Sequence, residues 1–210
     1  MNILKLLKYS PLFFLSLFMA ASVNAEDIGK QPYSYWRVKQ PNGLGIGLSL
    51  SSTSGVILFY DRNLDEKSQL HLQTSIGRDE AENIFGWEII TLSRTLIFGT
   101  YRRFFSKDKG FYYGIGAGYG GSKLEYTPAT SNHSYCAEGN GIFALGEIGW
   151  QGKEGFYFHI GFQPALYLTY SDDFDSSQIP TDYRHRTTAN DMWEDSENII
   201  QLSIGFGWFF

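Results

Sequence analysis

Ile199-Ile200-Gln201-Leu202-Ser203-Ile204-Gly205-Phe206-Gly207-Trp208-Phe209-Phe210 closes the chain, and its alternation decides the fold. Ile200, Leu202, Ile204, Phe206, Trp208 and Phe210 share one parity, while Gln201, Ser203, Gly205 and Gly207, with Ile199 and Phe209, share the other. Successive side chains of a strand point to opposite faces. One face is therefore large and apolar and the other mostly small or polar. A half-buried strand of a soluble sandwich alternates in the same way. It has no reason, however, to place Trp208 and Phe210 at its last two outward positions, where a membrane strand carries its interfacial aromatics.

At the other end, Lys5 and Lys8 precede an uncharged apolar stretch over 11–21, followed by Val23-Asn24-Ala25 and the acids Glu26 and Asp27. A charged start, an apolar middle and a small-residue site predict a signal peptide cleaved after Ala25. The apolar stretch is too short for a spanning helix, which needs about 20 residues. The expected division is a leader over 1–25, a periplasmic segment over 26–42 and a barrel over 43–210. Losing the two leader lysines lowers the formal charge from −5 to −7, which disfavours a nucleic acid as partner. Cys136 is the lone cysteine, so an intramolecular disulfide is excluded and no cysteine metal motif can be completed.

After the leader no stretch reaches the length of a transmembrane helix, and only helices or closed barrels satisfy every backbone group in lipid. Period-two segments run backwards from the carboxyl end. Over 156–169, Phe158, Ile160, Phe162, Leu166 and Leu168 alternate with His159, Gly161, Gln163, Ala165 and Tyr167, and Pro164 predicts a bulge. Over 142–151 the outward row is Ile142, Ala144, Ile148 and Trp150, with Phe143, Leu145 and Glu147 inward. Over 111–123 the inward row carries Gly114, Gly116, Gly118 and Gly120. That groove suits a narrow interior packed small against large, with Phe143 or Leu145 as filling. A glycine stripe admitting a ligand is the weaker reading.

Over 89–104 both parities are partly apolar. Arg94 decides between them, because an arginine at the lipid midplane costs about 2 to 4 kcal/mol, and it is turned inward. Over 69–77, His71, Gln73 and Ser75 point inward. Segments 44–51 and 56–61 bring the count to about eight. The expected fold is an all-β, antiparallel, transmembrane up-and-down β-barrel. Short connections at 63–68, 106–110 and 152–155 alternate with long ones at 78–88, 127–139 and 171–196, which places both termini in the periplasm and the long loops outside.

The alternating strands and the terminal Ile204-Gly205-Phe206-Gly207-Trp208-Phe209-Phe210 run resemble the small eight-stranded outer-membrane proteins, the class of OmpX-, OmpW- and OmpA-transmembrane-like barrels. The resemblance implies localisation in the bacterial outer membrane, contact with its lipid and lipopolysaccharide, and delivery by the barrel assembly machinery. That machinery would read Leu202, Ile204, Phe206, Trp208 and Phe210 as the assembly signal. The implied roles are structural or interactive, through the surface loops; a few such barrels modify lipid A.

An eight-stranded barrel has room for side chains rather than an open pore, so a narrow solute or ion channel ranks low. Glu147 and Arg94 are expected to form an interior ion pair, joined by His71, His159, Gln73 and Gln163 in a polar network, because buried polar groups must satisfy one another. A lipid A acyl hydrolase or transferase would need a nucleophile, a base and an orienting acid. Barrel deacylases carry His, one residue, then Ser on an outward face; His159-Ile160-Gly161 and His71-Leu72-Gln73 lack that serine. His133, Ser134, His185 and the acids Asp172, Asp173 and Asp175 remain as loop candidates. The acids of the last loop, with Asp182, Asp191, Glu194 and Asp195, could attract a calcium ion but show no EF-hand spacing. No catalytic residue, cofactor or metal is assigned.

Overall fold

The computed structural model describes residues 33–51, 53–82, 89–127, 134–152, 156–179, 183–197 and 199–210. The expected leader and His133 lie outside these residues. Eight strands form a closed antiparallel barrel in sequence order. They are β1 (Asn42–Leu50), β2 (Gly55–Asn63), β3 (Ser68–Glu82), β4 (Ile89–Phe104), β5 (Phe111–Thr127), β6 (Tyr135–Gln151), β7 (Phe156–Asp172) and β8 (Ile199–Phe209). The seam is β1 on β8, with Gly43 opposite Phe209 and Leu50 opposite Leu202. Closure gives every strand a paired neighbour on both sides, the condition for burying backbone in hydrocarbon.

The facing follows the period-two rows. On β8, Gln201, Ser203 and Phe209 are buried while Ile200 and Trp208 are exposed, as is Phe210 directly after it. Arg94 is buried, so β4 faces as the cost of a lipid-exposed arginine requires. The exposed apolar residues occur on every strand, from Ile46 on β1 and Leu58 on β2 to Ile115 on β5 and Leu166 on β7. An apolar band of that extent belongs against lipid rather than water. Towards the end of the long connections the outward rows become charged, with Arg78–Glu80 at 2.7 Å on β3 and Lys123–Glu125 at 2.9 Å on β5. At the opposite end Trp150, Phe158 and Phe206 form an aromatic belt, with ring centroids 6.3 and 5.1 Å apart.

Four expectations need correction. The connections at 78–88 and 127–139 are partly strand: β3 runs to Glu82, β5 to Thr127, and β6 starts at Tyr135. Their polar outward residues hide the strand from a pattern that looks for apolar ones. Segments 44–51 and 56–61 likewise lengthen to the bounds of β1 and β2. The ladder from β7 to β6 lapses opposite Pro164, which has no N–H, yet the register is the same on both sides. The shift comes instead beside Leu168, where Ile142 pairs with Thr169 and Phe143 with Tyr167.

The connection over 171–196, expected as a long loop, instead contains a 3-10 turn (Ser176–Gln178) and a helix, α2 (Tyr183–Glu197). Ile179, Ala189 and Trp193 pack on Ile90, Leu92, Leu124, Tyr126, Tyr135 and Ala137, so the connection stoppers the barrel mouth with apolar side chains. Phe174 stacks on Trp193 at 5.0 Å and 12°. The acids around it cap the backbone: Asp173 accepts from Glu138 N at 2.6 Å, Asp172 from Phe174 N at 3.1 Å and Asp175 from Ser177 N at 2.9 Å.

A short helix, α1 (Tyr33–Lys39), closes the other end. Arg37 lies over the Phe104 ring at 3.3 Å and donates to the carbonyls of Glu66, Lys107 and Lys109 at 2.9, 3.5 and 2.9 Å. We call this the turn end and the other the loop end.

Candidate functional site: a buried charge cluster in the lumen

Below the loop-end stopper the lumen is filled by Leu96, Phe98, Phe143 and Leu145, with Ala165 and Tyr167 alongside. Phe143 occupies the glycine groove of β5, as its position opposite Gly118 requires: a Cβ built on Gly118 would lie 2.6 Å from its ring. Beneath this apolar layer the inward rows turn polar. β2 contributes Asp61, β3 Gln69, His71 and Gln73, β4 Thr100 and Arg102, β5 Tyr112, β6 Glu147, and β7 His159 and Gln163. All are buried.

Arg102 is the centre of this cluster. Its Nε donates to Glu147 Oε2 at 2.8 Å and its Nη2 to Oε1 at 2.6 Å. Nη1 donates to Asp61 Oδ1 and to Gln69 Oε1, each at 3.2 Å. The guanidinium also lies over the Tyr112 ring at 4.6 Å. Glu147 accepts three further bonds, from Thr100 Oγ1 at 2.9 Å, Tyr112 Oη at 3.2 Å and Gln163 Nε2 at 2.9 Å. His71 Nδ1 lies 2.8 Å from Asp61 Oδ1 and its Nε2 3.0 Å from Gln73 Oε1. A carboxylate held by a two-pronged guanidinium and several neutral donors is the arrangement that offsets the cost of burying charge.

Glu147, His71, Gln73 and Gln163 thus meet in one cluster, His159 stands beside it with its ring centroid 5.8 Å from that of His71, and Arg94 does not join them. Arg94 lies beside Tyr167 and Tyr170, eight residues along β4 from Arg102, about 26 Å of extended chain. The register explains the exchange. Glu147 is level with Gly114, and Gly114 with Arg102, whereas Arg94 is level with Ser122. Arg102, Asp61, Gln69, Thr100 and Tyr112 are the members that sequence reasoning missed. For Thr100 and Arg102 the signal was the inward row of β4 itself, which continues from Phe98 through Thr100 to Arg102.

For hydrolytic chemistry the lumen offers one serine–histidine approach among the described residues, Ser203 Oγ to His159 Nε2 at 3.3 Å. Ser203 also donates to Gly161 O at 3.2 Å, and His159 Nδ1 has no orienting acid. Both side chains are fully buried, and a nucleophile and base without a third group lack the parts of a working triad. Among the described residues no three His, Cys, Asp or Glu side chains converge as metal ligands. The space bounded by Phe98, Phe143, Leu145, Gln163 and Gln201 is too small for a water molecule.

No protein-family model and no curated protein matches the chain. Solved structures do. Ail, the attachment invasion locus protein of Yersinia pestis, superposes with a TM-score of 0.54 at 8% identity, over 81% of this chain and 99% of that one. The same protein in complex with the heparin analogue sucrose octasulfate gives 0.53 at 8% identity, over 80% and 97%. The chain has the fold of the small eight-stranded outer-membrane barrels. A major outer membrane protein from Thermus thermophilus shares this fold with a TM-score of 0.51 at 10% identity, over 80% of this chain and 98% of that one. At such identities the likeness is one of architecture, and function must be argued from this barrel's own side chains.

Proposed function

We propose that this chain is an outer-membrane barrel whose role is structural and interactive, with the loop end as its working surface outside the cell. The observation that carries this reading is the filled lumen: apolar stopper, aromatic layer and charge cluster succeed one another from mouth to floor. A lumen filled in this way leaves no continuous solute path among the described residues, which favours this reading over the channel, and its one serine–histidine approach is buried rather than at the lipid boundary where lipid A chemistry would take place. What remains for a partner is the rim of β3 to β6 and the cover formed by the 3-10 turn and α2.

That surface is acidic, with Asp172, Asp173, Asp175, Asp191, Glu194 and Asp195 exposed. The Ail structure holds a sulfated, polyanionic ligand; acidic groups here favour a cationic partner instead.

The lone cysteine supplies the test. Cys136 is exposed at the loop end of β6. A membrane-impermeant maleimide should label it in intact cells, with the protein recovered in the outer-membrane fraction. Labelling only after permeabilisation would reverse the orientation, and recovery as a soluble protein would overturn the reading altogether.

A further inference from the structure

On the outer wall at the turn end, Asp65, Glu66, Lys67, Ser68, Tyr101 and Arg103 line a cavity of about 360 Å³. It is built by pairing geometry. Ser68, the first residue of β3, is the register partner of Arg103, and Leu70 that of Tyr101, so all four share the lipid-facing side. Tyr101 Oη donates to Ser68 Oγ at 2.9 Å, which holds the ring as one wall. Asp65 Oδ1 accepts from Lys67 N at 2.6 Å and Ser68 N at 2.8 Å, which fixes the turn that forms the opposite wall.

Charge in this cavity is mixed and not self-cancelled. Arg103 is exposed and makes no ion pair among the described residues, although it lies within electrostatic range of Asp65. Lys67 and Glu66 are exposed on the same rim. Arginine so placed, at the edge of a wall that continues into exposed Leu72 and Ile97, is suited to a phosphate group at the membrane surface. The acids beside it would repel a purely anionic headgroup and attract a cation.

From this juxtaposition we propose that the cavity seats the headgroup of a zwitterionic phospholipid with a primary ammonium, the phosphodiester on Arg103 and Lys67 and the ammonium on Asp65 and Glu66. The acyl chains then lie along Tyr101, Leu72 and Ile97. The site rests on the outer-membrane reading, in which the turn end faces the phospholipid leaflet.

The test is native mass spectrometry of the full chain exchanged into equimolar phosphatidylethanolamine and phosphatidylglycerol with identical acyl chains, with the folded fraction followed by heat-modifiable migration. The wild type should retain phosphatidylethanolamine over phosphatidylglycerol about fivefold. Arg103→Gln should abolish retention of both, and Arg103→Lys should keep part of it. Asp65→Asn with Glu66→Gln should keep retention but erase the preference; the amide oxygen of Asn can still cap the turn. A folded, inserted wild type that retains the two lipids equally, or a preference that survives Arg103→Gln, overturns the site alone. A wild type that never inserts overturns the outer-membrane reading as well.

Discussion

Arg102 and Glu147 face each other through two parallel hydrogen bonds, at 2.8 and 2.6 Å, although a whole strand separates them. The residue level with both on the intervening β5 is Gly114. A Cβ there would lie 3.3 Å from Arg102 Cγ and 3.5 Å from Glu147 Oε2. The glycine leaves open the gap across which β4 and β6 are tied.

Removing one member of this pair should therefore destabilise the barrel strongly. Arg102→Met leaves the buried carboxylate of Glu147 without its guanidinium, a loss of about 3 to 5 kcal/mol, and Glu147→Gln leaves Arg102 with Asp61 alone, a smaller loss. The double variant should lose clearly less than the sum of the singles. Urea unfolding in lipid, read as a double-mutant cycle, measures this coupling. The same cycle on Arg94→Met with Glu147→Gln should be additive to within about 0.5 kcal/mol, because the two groups stand far apart along the barrel.

The strand pattern, the facing of β4 and the polar floor of the lumen were all legible in the sequence, because period-two burial leaves its mark on every strand. Partner choice was not. Parity says that Arg94, Arg102 and Glu147 all point inward; height in the barrel depends on register, which turn lengths and stagger set jointly. The rim of β3, β5 and β6 was hidden because strand outside lipid carries charge on its outer face. The stopper was hidden because α2 is polar along most of its length, and its buried Ala189 and Trp193 make sense only once there is a mouth to fill.

The inward glycines of β5 should differ sharply in their tolerance of a methyl group. At Gly116 an added Cβ meets the Gly99 carbonyl and Thr100 Cα, which are backbone. At Gly120 it meets Tyr167 Oη at 2.7 Å and Leu96 Cδ2 at 2.8 Å, the far ends of side chains that can turn aside. Gly116→Ala is expected to cost about 1 to 3 kcal/mol and Gly120→Ala markedly less. Comparable unfolding midpoints for the two variants would contradict this packing.

The two terminal phenylalanines should separate stability from delivery. Phe209 is buried with Ile57 and Phe59, while Phe210 is exposed on the lipid side. Phe209→Ala should cost about 3 to 5 kcal/mol at equilibrium. Phe210→Ala should leave the unfolding free energy nearly unchanged and instead slow appearance of the heat-modifiable form in cells. Equal effects of both in both assays would remove any special role for the outward terminal aromatic.

At the loop end, acid should loosen the cover before it touches the barrel. Bonds from the side chain and backbone of Ser177, then from Gln178, hold the Asp175 carboxyl below the usual aspartate range. A group whose pKa is depressed by folding contributes stability above its unfolded pKa and loses it as pH falls through the folded value. Amide exchange at Ser177 should therefore accelerate as pH drops below the ordinary aspartate range, after correction for intrinsic rates, and Asp175→Asn should flatten that dependence.

Arg37 receives its carbonyls from two different hairpins, Glu66 from the turn between β2 and β3, and Lys107 and Lys109 from the turn between β4 and β5. Neither hairpin alone presents that receptor. It comes into being only when the two turns stand side by side, so a sheet in which β3 and β4 have not yet paired cannot seat the amino-terminal helix. The seating of α1 therefore follows the pairing of β3 with β4, and its arginine works as a local check: protection of the 33–39 segment from proteolysis reports that the four strands β2 to β5 above it have already found their places.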